Sequence, residues 1–359
     1  MNILKDIVEI LKRAVELETA DVFIVAGIPV SFKIHNTINH SEGEKLLPSD
    51  TEKLILQMYE LAGNRDPKLL TERGDDDFSF SITGLSRFRV NTYKQRGSLA
   101  AVIRIIRFEL PDYKKLNIPE NVMSIADKTG GFVLVTGPAA SGKSMTLACI
   151  IDAINEKRNS HIITLEDPIE YLHRHKNSIV SQRELEMDTA SFVGALRAAM
   201  RQSPDVILVG EMRDFETIRT AVTAAETGHM IISTLHTVGA ANSIDRIIDA
   251  FPVDQQQQIR VQLSMVLSAV ISQQLIPTVD GKVIPAFEVM FVNSAIRNLI
   301  RESKIHQIDN VIMTSAKENM ISMDTSILKL YTDGKISYDN AVKHSVNPVQ
   351  MIKKIEMMR

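Results

Sequence analysis

Apolar residues Ile3, Ile7, Ile10, Leu11 and Ala14 recur at helical spacing, so the chain opens on an amphipathic helix. Short runs with strand character follow at 21–25, 30–34, 78–82, 87–93 and 99–106. The pattern over 49–61 predicts a helix between them, with Ser49 or Asp50 as its cap. Short strands with one or two helices make a small α+β domain over 1–110. Pro111, Pro119 and several polar residues then break the pattern, which predicts an interdomain linker over 111–120. From 121 to 359 the rhythm changes. Apolar strand runs at 131–136, 161–165, 205–209 and 230–235 alternate with helical runs at 145–154, 192–202 and 215–227. Such alternation predicts a parallel sheet with crossover helices, an α/β nucleotide-binding core. The tail from Ser294 reads as mainly helical, ending in a short helix begun at Asn347-Pro348 with Ile352 and Ile355 on one face.

The first apolar strand of that core, Phe132-Val133-Leu134-Val135, runs into Gly137-Pro138-Ala139-Ala140-Ser141-Gly142-Lys143-Ser144 and then a helical run from Met145. Strand, glycine loop and helix with G-x-x-x-x-G-K-S spacing form a P-loop. Its backbone N–H groups curl around phosphate oxygens at a helix N-terminus, whose partial positive charge favours an anion. Lys143 would bridge the β- and γ-phosphates of a nucleoside triphosphate, and Ser144 would offer its hydroxyl to Mg²⁺.

Acids emerge from two further strands. Asp205-Val206-Ile207-Leu208-Val209-Gly210-Glu211 is an apolar strand ending in an acid, with Gly210 where an aspartate usually stands; Glu211 would contact the metal beside Ser144. In Thr164-Leu165-Glu166-Asp167-Pro168-Ile169-Glu170, Glu166 is placed to orient the attacking water, or the segment is merely an acidic turn before proline. His229 and His236 flank the strand 230–235; each is either a structural histidine or a group that reports the γ-phosphate. The first domain carries Arg87, Arg89, Arg96, Arg104 and Arg107, either a solvated basic face or guanidinium groups that reach a phosphate. Asp75-Asp76-Asp77 reads as a solvated turn.

Composition narrows the classes. The chain has 359 residues, a net charge of −3, 44% hydrophobic and 5% aromatic residues. That balance fits a globular protein with a real core and argues against a nucleic-acid channel, which needs basic or aromatic lining. A lone cysteine, Cys149, makes neither an intrachain disulfide nor a cysteine zinc site, so a cytosolic chain is expected. No apolar run reaches the length of a membrane span and the acid-bearing N-terminus does not resemble a signal peptide; membrane association is expected to be peripheral.

The segments 137–144, 164–171, 206–214 and 227–237 resemble, in order, the Walker A, Asp box, Walker B and His box of the secretion ATPase superfamily. Ala295-Ile296-Arg297-Asn298-Leu299-Ile300-Arg301-Glu302 looks like the AIRNLIRE signature of its PilT branch, the type IV pilus retraction ATPases. This resemblance implies a RecA-like core behind a PAS-like first domain, a homohexamer using ATP and Mg²⁺, and work delivered through a PilC-type platform protein at the cytoplasmic face of the membrane. It implies that Gly137, Pro138, Ala139, Ala140, Ser141, Gly142, Lys143, Ser144 and Met145 hold nucleotide. Ser144 and Glu211 then serve the metal, Glu166 activates water, Arg89 and Arg104 reach phosphate, and His229 and His236 report the γ-phosphate or the subunit contact. Residues 295–302 become a coupling surface. One departure stands out: the family loop reads G-P-T-G-S-G-K-S, and Ala139-Ala140 replace Thr-Gly here. An assembly ATPase of the same superfamily, a DNA translocase and a nucleotide-binding regulator without turnover remain as alternatives.

Overall fold

The computed structural model describes residues 6–34, 37–106, 110, 112–212 and 214–358. Arg107, Arg213, Pro111 and Ile3 lie outside the described residues. The chain divides into two compact units, 1–109 and 110–359.

In the first unit, α1 (Ile7–Glu16), β1 (Asp21–Ile24), β2 (Ser31–Ile34), β3 (Thr37–His40), α2 (Pro48–Leu61), α3 (Lys68–Arg73), β4 (Asp75–Ile82), β5 (Ser86–Gln95) and β6 (Ser98–Ile106) follow in order. The strands form one antiparallel sheet ordered β3-β2-β1-β6-β5-β4. Ile7, Ile10, Leu11 and Ala14 of α1 and Leu54, Ile55 and Met58 of α2 bury against Val22, Phe32, Phe88, Val90 and Ile103, which alternate along their strands. The opposite face carries Lys33, Arg87, Arg89 and Arg104.

Two expectations change here. The α2 helix starts at Pro48, and Asp50 at its third position accepts the Leu47 N–H at 2.9 Å rather than capping from outside. Asp75-Asp76-Asp77 is not a turn but the start of β4. Asp76 is buried, gripped by the Arg65 guanidinium with two 2.9 Å bonds and by the Tyr59 hydroxyl at 3.0 Å. The partners that make an acid tolerable in a strand sit elsewhere in sequence, so the local triplet could not reveal them.

The second unit contains α4 (Glu120–Met123), β7 (Gly131–Thr136), α5 (Lys143–Lys157), β8 (His161–Glu166), β9 (Ile179–Glu184), α6 (Phe192–Ala199), β10 (Val206–Val209), α7 (Phe215–Glu226), β11 (Met230–Leu235), α8 (Ala240–Asp249), α9 (Gln256–Val266), β12 (Leu267–Pro277), β13 (Val283–Phe291), α10 (Ser294–Arg301), α11 (Ile308–Thr314), α12 (Met323–Thr332), α13 (Tyr338–His344) and α14 (Pro348–Glu356). Its seven strands are ordered β13-β12-β7-β11-β10-β8-β9 and run parallel except for edge strand β13.

Both faces of this sheet are covered. Phe132, Leu134, Ile163, Ile207 and Ile231 face α6, α7, α8 and α9, while Val133, Val135, Ile162, Leu208 and Ile232 face α5. Burial on both sides explains why these strands read as unbroken apolar runs. The expected 111–120 linker packs into this unit where it is described: Ile118 is buried beside Val122 and Ile125, with Tyr113 and Leu116 against them. In the last helix Met351 and Ile355, four apart, are buried in the core, and Ile352, three from Ile355, is half-buried.

Candidate active site

The carboxyl ends of β7, β11, β10 and β8 lie side by side, and a parallel sheet places its ligand crevice at that edge. A cleft of about 470 Å³ opens there. It is lined by Ala139, Ala140, Ser141, Gly142, Lys143, Ser144 and Met145 from the loop and first turn of α5, with Glu166, Glu170, Glu211 and His236 from the strand ends. Four groups nominated from separate stretches of sequence thus share one cavity.

The loop is shaped by close approaches. Gly137 has φ 144°, and a Cβ there would stand 2.1 Å from the Gln273 carbonyl oxygen on β12. Gly142 has φ 87° and faces the Gln273 side chain, whose Oε1 accepts the Thr146 hydroxyl at 2.7 Å. Gln273 therefore braces the loop, a role no nearby motif advertised: it lies 127 residues beyond Thr146 and only the β7–β12 pairing brings it in. Lys143 donates to the Gly137 and Pro138 carbonyls at 2.8 and 2.9 Å, and burial lowers its pKa against the pull of Glu170 and Glu211.

Ala140 has φ 59°, a left-handed conformation that costs a residue with a Cβ about 1 kcal/mol. The strain sits in the part of the loop that lines the cleft. Because the free loop already holds this conformation, the cost falls on folding: Ala140→Gly is expected to raise the unfolding midpoint by about one to two degrees while leaving kcat/KM for ATP within about twofold. Thermal unfolding and phosphate release measure the two; an unchanged or lowered midpoint would remove the idea.

Gly210 also has a steric reason. Its N–H donates to the Leu165 carbonyl at 2.8 Å, and an added Cβ would meet that same oxygen at 3.2 Å and Glu166 Cα at 3.4 Å. A side chain at this position would be tight against β8, and the acid of this strand end is Glu211. His236 Nε2 stands 3.6 Å from Glu211 Oε2.

Glu166, at the end of β8, is the most perturbed acid in the cleft. Burial pushes its pKa up to about 7; hydrogen bonds from Thr164 and Gln182 hold it down, while Glu170 and Glu184 raise it further. A carboxyl poised near neutrality suits proton transfer.

His229 is not brought to this cleft. It precedes β11 and therefore sits at the amino end of the sheet, a full strand of six residues from His236. Its Nδ1 lies 3.0 Å from both the Ala224 carbonyl and the Thr227 hydroxyl, closing the end of α7. His229 therefore does not line the cleft that holds His236.

Arg89 and Arg104 belong to the first unit, directly opposite each other on β5 and β6. Arg89 makes a two-pronged pair with Asp77 at 3.1 and 2.8 Å, and Arg104 donates to Asp21 at 3.0 Å. Arg87 shares their face, whereas Arg96 falls in the β5–β6 turn with φ 48°.

In the 295–302 segment, Ile296 and Ile300 are buried, and Arg297 donates to the Ser264 and Met265 carbonyls at the end of α9. Ala295, Asn298, Arg301 and Glu302 remain on the exposed side.

Residues 1–310 match the family described as type II/IV secretion system protein. The chain is 41% identical over 336 residues to the type IV pilus retraction ATPase PilT of Pseudomonas aeruginosa, covering 94% of this chain and 97% of that one. It is 46% identical over 285 residues to a twitching motility protein of Neisseria gonorrhoeae, with 79% and 76% covered. Among solved structures, the pilus retraction motor PilT with bound ADP superimposes with a TM-score of 0.88 at 44% identity, covering 98% of this chain and 99% of that one.

Proposed function

The chain belongs to the type II/IV secretion system protein family, and from that premise we propose that it is a motor ATPase that drives retraction of type IV pili. The observation that carries this reading is the shared cleft, where a P-loop, a neutral-range carboxyl at Glu166, and the Glu211–His236 pair meet at the edge of one parallel sheet.

The loop N–H groups and Lys143 bind and orient the triphosphate, which requires Lys143 to exchange its two carbonyl acceptors for phosphate oxygens. Ser144 and Glu211 supply oxygen donors in the same cleft, and that donor set fits Mg²⁺, which keeps several waters and takes phosphate oxygens for the rest. When bound, Mg²⁺ would neutralise charge on the β- and γ-phosphates. Glu166 accepts a proton from the attacking water as its oxygen bonds to the γ-phosphorus and the bond to the β-bridging oxygen breaks. The products are ADP and inorganic phosphate, with the proton passed on to solvent.

Arg89 and Arg104, on an exposed sheet face, would stabilise the transferring phosphoryl group. The working form is a homohexamer whose subunit motion is passed to a PilC-type platform protein, with the chain peripheral at the cytoplasmic face of the membrane. Among the described residues no helix is long and apolar enough to cross a membrane. The exposed residues Ala295, Asn298, Arg301 and Glu302 are the coupling surface, since Ile296, Arg297 and Ile300 are spent on packing. Deleting the gene tests the direction of work: excess pili that fail to retract support the reading, and cells without pili point instead to an assembly ATPase.

A further inference from the structure

Strands β8 and β9 run parallel with Thr164 beside Gln182 and Glu166 beside Glu184. Thr164, Glu166 and Gln182 therefore share one face of the sheet. Thr164 Oγ1, at 2.6 Å, and Gln182 Nε2, at 3.1 Å, both donate to the same atom, Glu166 Oε1. The Gln182 amide is itself pinned. Its Nε2 also donates to the Tyr171 carbonyl at 2.9 Å, and its Oε1 accepts the His173 N–H at 2.8 Å. Turning the amide over would set oxygen against two acceptors and NH₂ against a donor, so its orientation follows from the backbone around it.

We propose that Gln182 is a positioning residue for hydrolysis: together with Thr164 it holds Oε1 of Glu166, fixes that side chain, and leaves Oε2 to take the proton from the attacking water. The proposal rests on the reading of Glu166 as the base. Oε1, already accepting two hydrogen bonds, is the poorer proton acceptor. The proton lost by water moves to Oε2 as the new P–O bond forms and the bridging P–O bond breaks.

The charges around Glu166 fix the sign of the effect. Glu170 and Glu184 favour its protonated form, the two hydrogen bonds favour the ionised one, and Lys143, Asp167, Glu211, His173 and His236 line the same cleft. Removing one donor thus lets the carboxyl keep its proton to higher pH.

The test is the pH dependence of ATP hydrolysis by the full-length chain carrying Gln182→Met, with Thr164→Val as a second variant in which the Tyr171–His173 loop keeps its glutamine. Both are expected to move the acid limb of the kcat profile up by about one unit, a loss of about fivefold near pH 7 that approaches tenfold below about pH 6 and is recovered near pH 9. KM and the affinity for a fluorescent ATP analogue should stay unchanged, and adding Gln182→Met to Glu166→Gln should cost nothing further. A uniform loss with the acid limb unmoved would make Gln182 a mere anchor for the loop and overturn the proposal; so would no change in either variant. Those results, with Glu166→Gln inactive, sink the role of Gln182 alone. An active Glu166→Gln protein sinks the base assignment and this proposal with it.

Discussion

Replacing Glu166 by glutamine is expected to lower kcat for ATP hydrolysis by about 10²- to 10⁴-fold, the usual share of a general base. The change is isosteric, and the Thr164 and Gln182 donors still find an oxygen, so nucleotide affinity should change less than about threefold. The pH profile sharpens the test. A carboxyl with its pKa raised to about 7 is protonated, and useless as a base, below neutrality, so wild-type kcat should climb with pH and level off above about 8. The residual activity of the glutamine protein should lack that limb. Steady-state phosphate release across pH 5.5–9, with nucleotide binding measured separately, decides both points. Retained turnover would return Glu166 to the status of an acidic turn.

The contrast between Glu166 and Asp76 explains how much of this site the sequence made legible. A P-loop is written in consecutive residues, because the phosphate cradle is built from one stretch of backbone, and its two glycines prove necessary against Gln273. Strand ends bearing acids are legible too, since a run buried on both faces is apolar throughout and stops where its side chains meet the cleft. Partners supplied across the sheet are not. Gln182 and Gln273 act only because β9 joins β8 and β12 joins β7, pairings that no local periodicity encodes. Asp76 looked like a turn for the same reason, with its partners Arg65 and Tyr59 contributed by other elements. His229 shows the converse limit of reading by nearness in sequence. Its nearness in sequence to His236 suggested a shared task, but a strand between them sends the two side chains to opposite ends of the sheet.

Arg104→Ala is expected to reduce ATP hydrolysis by about 10³-fold or more while leaving the fold intact, the scale of losing a guanidinium that meets a transferring phosphoryl group. The side chain is 67% exposed, so its removal opens no cavity. It also faces Arg89 directly across the β5–β6 ladder, where like charges repel unless each is held by a carboxylate, as Asp77 and Asp21 hold them here. A triphosphate would take over that neutralising role. Exchange of carboxylate for phosphate is a natural move for guanidinium, which binds both through the same planar donors. Mixing subunits then asks whose phosphate the arginine meets. Arg104→Ala and Glu166→Gln proteins are each inactive alone, but in a ring with head-to-tail contacts a site borrowing its arginine from the neighbour is whole wherever an intact Glu166 meets an intact Arg104. An equal mixture should recover about a quarter of wild-type turnover if subunits assort at random and fire independently. No recovery after subunit exchange would place Arg104 and Glu166 in service of the same chain's nucleotide, and full activity of Arg104→Ala alone would leave the arginine pair a solvated surface.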